Sequence, residues 1–124
     1  MRKILHLEDS PEDALLIENV IREGGIDAEI IVVRRRAEFV AALEQSRFDI
    51  ILSDHGLCDI DCITAITMVT AKWPGAWFIC LSGTEDPEVI QKCLGAGAAA
   101  YISKNNLPKL IAILGAMLGK AEDS

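Results

Sequence analysis

Acidic side chains stand at two places in this sequence where a short apolar run ends. Glu8 and Asp9 follow residues 3–7, and Asp54 follows the run at residues 50–52. Such runs are typical of buried strands, and open α/β sheets bind ligands at the carboxyl ends of their strands. Three carboxylates brought together repel one another unless a cation lies among them. All-oxygen ligands with room for water favour Mg²⁺ over a softer metal, so Mg²⁺ is the predicted cofactor.

Hydroxyl and cationic side chains follow two later apolar runs. Ser82 and Thr84 come after residues 77–81, and Lys104 comes after residues 99–102. A metal ion, a lysine and a hydroxyl can together neutralise the charge on a phosphoryl group in transfer. A carboxylate that faces this group can act as the nucleophile and form an acyl phosphate. We therefore take Asp54 as the candidate nucleophile, whereas Thr84 could equally be an ordinary loop cap.

The spacing of apolar residues predicts five strands that alternate with five helices. The strands are predicted at residues 3–7, 30–33, 50–52, 77–81 and 99–102. The helices are predicted after Ser10, over residues 37–45, over residues 60–72, after Asp86 and after Asn106. Pro11, Glu12 and Asp13 suit the first turn of a helix, where acids favour the positive end of the dipole. This alternation predicts a parallel sheet with helices on both faces.

The composition is that of one globular domain with an acidic surface. The 124 residues are 51% hydrophobic and 25% charged, and the net charge is −7. Such a surface repels the phosphates of nucleic acid, so we expect no nucleic-acid partner. The basic cluster at residues 34–36 is interpreted as a solvated turn before a helix. No apolar run is long enough for a signal peptide or a membrane span, which favours a cytoplasmic protein with no membrane partner.

The four cysteines do not show the spacing of a metal site. Cys58 and Cys62 lie one helical turn apart, but no matching pair of His or Cys residues accompanies them. They therefore do not predict a zinc site. Cys80 and Cys93 fall in apolar stretches and are interpreted as small core residues.

Several of these features, taken in chain order, resemble one known family. They are Glu8-Asp9 after the first strand, Asp54 after the third, Ser82-Gly83 after the fourth, and Tyr101 with Lys104 at the fifth. This set is similar to the receiver domain of two-component response regulators (CheY-like), over essentially the whole chain. The resemblance implies a flavodoxin-like (βα)5 three-layer sandwich of the α/β class with strand order 2-1-3-4-5. That order is taken from the family and is not worked out from the residues.

The resemblance also implies a role for each matched position. Asp54 would accept a phosphoryl group from a histidine kinase or a histidine phosphotransfer protein. Mg²⁺ would be held by Glu8, Asp9, Asp54 and the backbone carbonyl of Gly56. Ser82 would hydrogen-bond a phosphoryl oxygen and Lys104 would pair with the phosphoryl group. Tyr101 would be an aromatic switch that turns inward when Ser82 moves, although its simpler interpretation is a partly buried aromatic.

The expected function is a phosphorylation-dependent signalling switch that alters the binding of a downstream protein partner. The chain would not be an enzyme beyond promoting its own phosphotransfer and slow autodephosphorylation. Some positions depart from the family pattern: Leu57-Cys58 stands where receivers often have Met-Pro, and Asn105 stands where a proline commonly follows the lysine. Gly56 also places no side chain over the phosphorylation site.

Two other functions stay open on the sequence alone. A receiver-like interaction domain could work without phosphate, although the intact acidic cluster speaks against it. An Asp-nucleophile phosphohydrolase usually has a second acid two residues after the nucleophile, where this chain has Gly56. We expect residues 1–120 to form the receiver domain and residues 121–124 to be a short polar tail. The chain would be either a stand-alone receiver or a module of a larger kinase or regulator.

Overall fold

Five parallel strands form one sheet in the computed structural model, which describes residues 2–54, 60–83 and 85–118. The strands are β1 (Arg2–Leu7), β2 (Ala28–Val33), β3 (Ile50–Asp54), β4 (Trp77–Ser82) and β5 (Ala100–Ser103). The helices are α1 (Pro11–Glu23), α2 (Arg36–Gln45), α3 (Cys62–Lys72), α4 (Pro87–Ala96) and α5 (Leu107–Leu118). The strand order is β2-β1-β3-β4-β5, which confirms the predicted flavodoxin-like fold.

Two apolar clusters cover the two faces of the sheet. Ile17 of α1 and Leu110 of α5 pack with Ile50 and Leu52 on one face. Phe39 of α2, with residues of α3 and α4, packs on the other face. Side chains alternate between the faces along each strand, so both sides of the inner strands are buried. This burial explains why their sequences are short continuous apolar runs.

Side-chain caps fix where helices α1 and α3 begin, near the carboxyl ends of β1 and β3. The Ser10 hydroxyl accepts a hydrogen bond from the Asp13 backbone N–H, and Pro11 occupies the first turn of α1. The Asp61 carboxylate caps α3 in the same way, so α3 begins at Cys62 and not at Ile60 as predicted. These caps satisfy backbone N–H groups that have no partner within the helix.

Strand β2 begins two residues earlier than predicted, because Ala28 and Glu29 pair in register with Arg2 and Lys3 of β1. The remaining predicted strands and helices agree with the structure to within one or two residues. The predictions for Gly56, Leu57-Cys58, Thr84 and residues 121–124 lie outside the described residues. Within the described ranges, no helix has the length and apolar character needed to cross a membrane.

Candidate functional site

The register of the sheet brings the ends of four strands to one edge. Leu7 of β1 pairs with Ser53 of β3, so Glu8 follows β1 at the level where Asp54 ends β3. Asp54 in turn pairs with Leu81 of β4. Ser82 is the last residue of β4 and pairs with Ser103 of β5, directly before Lys104. The sheet therefore gathers the predicted acids, the hydroxyl and the lysine at one edge.

Three carboxylates meet at this edge. Glu8, Asp9 and Asp54 each offer a carboxylate oxygen, and these oxygens lie within 4.8 Å of one another. Glu8 is buried, Asp9 is exposed and the Asp54 side chain is 13% exposed. An all-oxygen set that is open to water on one side fits Mg²⁺, which retains several of its waters in proteins. The donor set thus suits the predicted ion.

Lys104 contacts three carboxylates at once. Its Nζ lies 2.9 Å from Glu8 Oε1, 2.9 Å from Asp13 Oδ2 and 3.1 Å from Asp54 Oδ1. An ammonium group has three donors, so each N–H can serve one acid. Burial alone would lower the pKa of Lys104, but the bonds to Asp13 and Glu8 and the charge of Asp54 outweigh it and raise that pKa. Lys104 is therefore a fixed positive charge among the acids.

Glu8 is the most buried of these acids, with 1% of its surface exposed. Burial raises its pKa and the negative charge of Asp54 adds to the rise, whereas the hydrogen bond from Lys104 lowers it. Its Oε2 also accepts the backbone N–H of Ser10 at 3.2 Å. Glu8 is thus held from two sides, by the start of α1 and by the lysine after β5.

Asp13 is a member of the site that the sequence did not predict. The sequence pattern assigned Asp13 to the first turn of α1, where an acid also favours the helix dipole. The structure confirms that place but adds the contact with Lys104, across 91 residues of chain. A cap followed by an acid is common at helix starts, so the pattern carried no separate signal for the contact.

Ser82 and Tyr101 are hydrogen-bonded through their side chains on the α3–α4 side of the sheet. Burial raises the pKa of Tyr101, and this hydrogen bond partly opposes the rise. The Lys104 backbone N–H donates to the Ser82 carbonyl at 2.7 Å, which ties the ends of β4 and β5 together. The predicted hydroxyl, aromatic ring and lysine therefore belong to one connected unit.

His6 is a second residue near the site that the sequence did not predict. It lies in β1 with no exposed surface, and neither ring nitrogen has a hydrogen-bond partner among the described residues. Burial and the charge of Lys104 lower its pKa to about 4, although Asp54 and Asp13 act in the opposite direction. The imidazole is therefore neutral at pH 7 and adds no charge beneath the acids.

Comparison with known proteins identifies a family. The sequence model of one protein family, the response regulator receiver domain, matches residues 4–114 of the chain. No curated protein sequence matches the chain significantly.

Solved structures agree with this match. A two-component response regulator from Clostridium difficile is 20% identical with a TM-score of 0.85, over 100% of both chains. The receiver domain of a sensor histidine kinase from Pseudomonas aeruginosa has a magnesium ion coordinated in its active-site cleft. It is 28% identical with a TM-score of 0.80, over 95% of this chain and 98% of that chain. The phosphorylated cyanobacterial phytochrome response regulator RcpA is 25% identical with a TM-score of 0.79, over 97% of this chain and 96% of that chain.

Proposed function

The chain belongs to the family of response regulator receiver domains, and from this premise we propose that it is a phosphorylation-dependent switch with Asp54 as its phosphoacceptor. Receiver domains act in two-component signalling and are not classical enzymes. The observation that carries the proposal is the position of Asp54, 3.1 Å from the Lys104 ammonium and within 4.8 Å of the oxygens of Glu8 and Asp9. No other described aspartate combines a lysine contact with two further acids in this way.

The proposed transfer starts from a phosphohistidine of a histidine kinase or phosphotransfer protein. A carboxylate oxygen of Asp54 forms a bond to phosphorus as the bond to the imidazole nitrogen breaks, and the electron pair leaves with the imidazole. Glu8, Asp9 and Asp54 would hold Mg²⁺ with the Gly56 carbonyl, and the ion would neutralise charge on the transferring phosphoryl group. The magnesium-bound receiver from Pseudomonas aeruginosa supports this choice of ion.

Lys104 has a specific part in the proposed step. Before transfer, its ammonium is shared between Glu8, Asp13 and Asp54. After transfer, negative charge moves from the Asp54 carboxylate to the phosphoryl oxygens, so the strongest attraction for the ammonium moves with it. Lys104 would then pair with the phosphoryl group and relinquish part of its contact with Asp54.

The signal would pass through Ser82 and Tyr101. The Ser82 hydroxyl would turn from Tyr101 toward a phosphoryl oxygen, which breaks their hydrogen bond and lets the Tyr101 ring reorient. Tyr101 lines a groove of about 540 Å³ between α4, β5 and α5, together with Ile90 of α4 and Lys109 of α5. A downstream protein that binds one shape of this groove better than the other would read out phosphorylation.

Residues 1–120 are the receiver domain in this proposal, and the setting is the cytoplasm, where the donor kinase or phosphotransfer protein would present its phosphohistidine. The partner is a protein and not nucleic acid, since the net charge of −7 opposes binding to phosphate backbones.

A small phosphodonor such as acetyl phosphate tests the proposal directly. With Mg²⁺, the wild-type protein should gain one base-labile phosphoryl group, and omission of Mg²⁺ should abolish most of the labelling. Asp54→Asn should gain none, because an amide oxygen is a poor nucleophile. The control Asp27→Asn removes an exposed acid far from the site and should label as the wild type does. Equal labelling of Asp54→Asn and wild type would refute the assignment.

A further inference from the structure

Three cysteines meet in the core beneath the candidate phosphoacceptor. Cys62 is the first residue of α3, Cys80 lies in β4 and Cys93 lies near the end of α4. All three are buried, with at most 3% of their surface exposed. Their sulfur atoms lie within 4.8 Å of one another, and the two sulfurs of Cys62 and Cys80 are 2.7 Å apart. The pattern of the sequence gave no indication of this cluster, because each cysteine comes from a different element.

The cluster lies on the same face of the sheet as Ser82 and Tyr101. Cys80 precedes Ser82 by two residues in β4, and residues two apart in a strand share a face. Tyr101 and Ser53 flank Cys80 on the two neighbouring strands. The Ser53 hydroxyl is buried and has no hydrogen-bond partner in the described part of the chain. The thiols are therefore packed directly under the unit that links Ser82 to Tyr101.

The geometry favours a sulfur–sulfur bond over a shared metal ion. Thiolates that bind one tetrahedral zinc ion at about 2.3 Å are roughly 3.8 Å apart, well beyond the 2.7 Å between Cys62 and Cys80. Three thiolates around a monovalent or divalent cation would also leave net negative charge in an apolar core, which is costly. A disulfide is neutral, so its formation leaves no charge behind.

The three thiols differ in acidity. The hydrogen bond between Cys62 and Cys80, in which either sulfur can be the donor, lowers the pKa of Cys62, although burial opposes this. The same bond and burial raise the pKa of Cys80, and burial raises that of Cys93 to about 11. Cys62 also stands at the N-terminus of α3, a position that stabilises a thiolate. Its position at the start of α3 therefore makes Cys62 the candidate nucleophile of the group, with the sulfur of Cys80 2.7 Å away.

We propose that Cys62 and Cys80 form a redox-active pair that hydrogen peroxide oxidises to a disulfide. The Cys62 thiolate attacks one peroxide oxygen, a sulfur–oxygen bond forms and the oxygen–oxygen bond breaks. The leaving hydroxide takes up the proton that the Cys62 thiol released on forming the thiolate, which gives water and a sulfenic acid. Cys80 then attacks that sulfur, the sulfur–oxygen bond breaks and a second water leaves with the Cys80 proton. Two thiols are oxidised and one peroxide is reduced to two waters.

The chemistry of this pair does not depend on the proposed phosphotransfer. The disulfide would, however, join two elements near the edge of the sheet that carries Asp54. It would connect the start of α3, which follows the segment after Asp54, to the strand that carries Ser82. A covalent link here would limit the movement of β4 relative to α3. Oxidation would therefore act on the region through which phosphorylation is proposed to act.

Tryptic mapping of a Cys58→Ser variant provides the test. In this variant the remaining cysteines fall in three separate tryptic peptides, residues 48–72, 73–92 and 93–104. Native protein treated with hydrogen peroxide should fall from three titratable thiols to one. Peptides 48–72 and 73–92 should then be recovered as one disulfide-linked species that dithiothreitol separates. Adding Cys93→Ser should leave this link intact, whereas adding Cys62→Ser should abolish it.

Other outcomes would overturn the proposal. Three persistent thiols in the native protein, with linkage only after denaturation, would show that the pair is an inert part of the core. A link to peptide 93–104 would assign the chemistry to other sulfurs, and sulfinic acid without any link would show that Cys80 does not react with a sulfenic acid at Cys62. Should Cys62→Ser fail to fold, the mapping of the Cys58→Ser and Cys58→Ser/Cys93→Ser proteins decides the question without it.

Discussion

Lys104 is the single cation that the described part of the chain places against Glu8, Asp13 and Asp54. Its contacts explain how a buried glutamate and two further acids share one edge of the sheet. A carboxylate that loses its cation in a partly buried site is left with uncompensated charge. The lysine thus stabilises the acidic site as well as serving the proposed phosphotransfer.

Replacing this lysine should therefore reduce stability in a way that Mg²⁺ partly repairs. We expect Lys104→Met to lower the free energy of unfolding by about 2–3 kcal/mol without metal, because Glu8 stays buried while Asp13 stays solvated. Saturating Mg²⁺ should stabilise the variant more than the wild type, since the ion supplies the missing positive charge. Denaturant titrations with and without Mg²⁺ measure both effects.

The control for this variant is Lys109→Met, which removes an exposed lysine of α5. Exposed substitutions of this kind usually change stability by less than about 0.5 kcal/mol. If Lys104→Met were as stable as Lys109→Met in metal-free buffer, the contacts of Lys104 would not stabilise the acidic site.

The lowered pKa of the buried His6 side chain leads us to expect that the stability of the protein depends on pH. Its pKa is about 4 in the folded protein, below the ordinary value of 6.5, so the unfolded chain takes up a proton first as the pH falls. The stabilisation from neutral His6 is complete above pH 6.5 and is lost between pH 6.5 and pH 4. The loss is on the order of 3 kcal/mol. The raised pKa of Glu8 acts in the opposite direction and offsets part of this loss.

The variant His6→Leu isolates this contribution. Leucine fits an apolar strand position and does not titrate, so the variant should lose less stability than the wild type between pH 7 and pH 4. Denaturant titrations at several pH values give the comparison. Parallel pH profiles for the two proteins would mean that His6 is not the titrating group.

At the scale of elements, α3 depends on the cap that Asp61 provides. The Asp61 carboxylate accepts the Thr64 backbone N–H at 2.7 Å and the Thr64 hydroxyl at 3.0 Å. These bonds lower the pKa of Asp61. The cap fixes where α3 begins, and so it also fixes the position of Cys62 against β4.

Loss of this cap should therefore destabilise the protein. Asp61→Ala should cost about 1 kcal/mol of unfolding free energy, as helix N-caps usually do. Asp61→Asn keeps an oxygen that can accept the Thr64 N–H and should cost much less. Thermal or denaturant unfolding of both variants provides the measurement, and equal losses for alanine and asparagine would contradict a capping role.

At the scale of the whole molecule, the sequence predicted the fold well because its signals were local. Buried runs such as Ile50-Ile51-Leu52 mark inner strands, and Ser10-Pro11 and Asp86-Pro87 mark helix starts. The strand order needed the family resemblance, since no local signal says which strands are neighbours. The site acids and Lys104 could be picked out from the sequence because they stand at the ends of predicted strands. The strand order was needed only to predict that they lie close together.

The features that the sequence missed all depend on long-range packing. Asp13 meets Lys104 only because α1 and α5 pack side by side on one face of the sheet, and the helix-dipole explanation already accounted for an acid there. His6 was hidden in an apolar run, where the pattern predicts burial but not the neighbours that set its pKa. Cys62, Cys80 and Cys93 come together only when two helices pack on one strand.

The position of the phosphoryl group on the chain is the most direct test of the whole account. After reaction with acetyl phosphate and Mg²⁺, reduction with borohydride converts a phosphorylated aspartate into homoserine, which sequencing of the tryptic peptide locates. The tryptic peptide of residues 48–72 contains four aspartates, so the position within it is decisive. We predict homoserine at position 54 alone. Homoserine at another aspartate, or at none in a protein that still folds and binds Mg²⁺, would contradict the account.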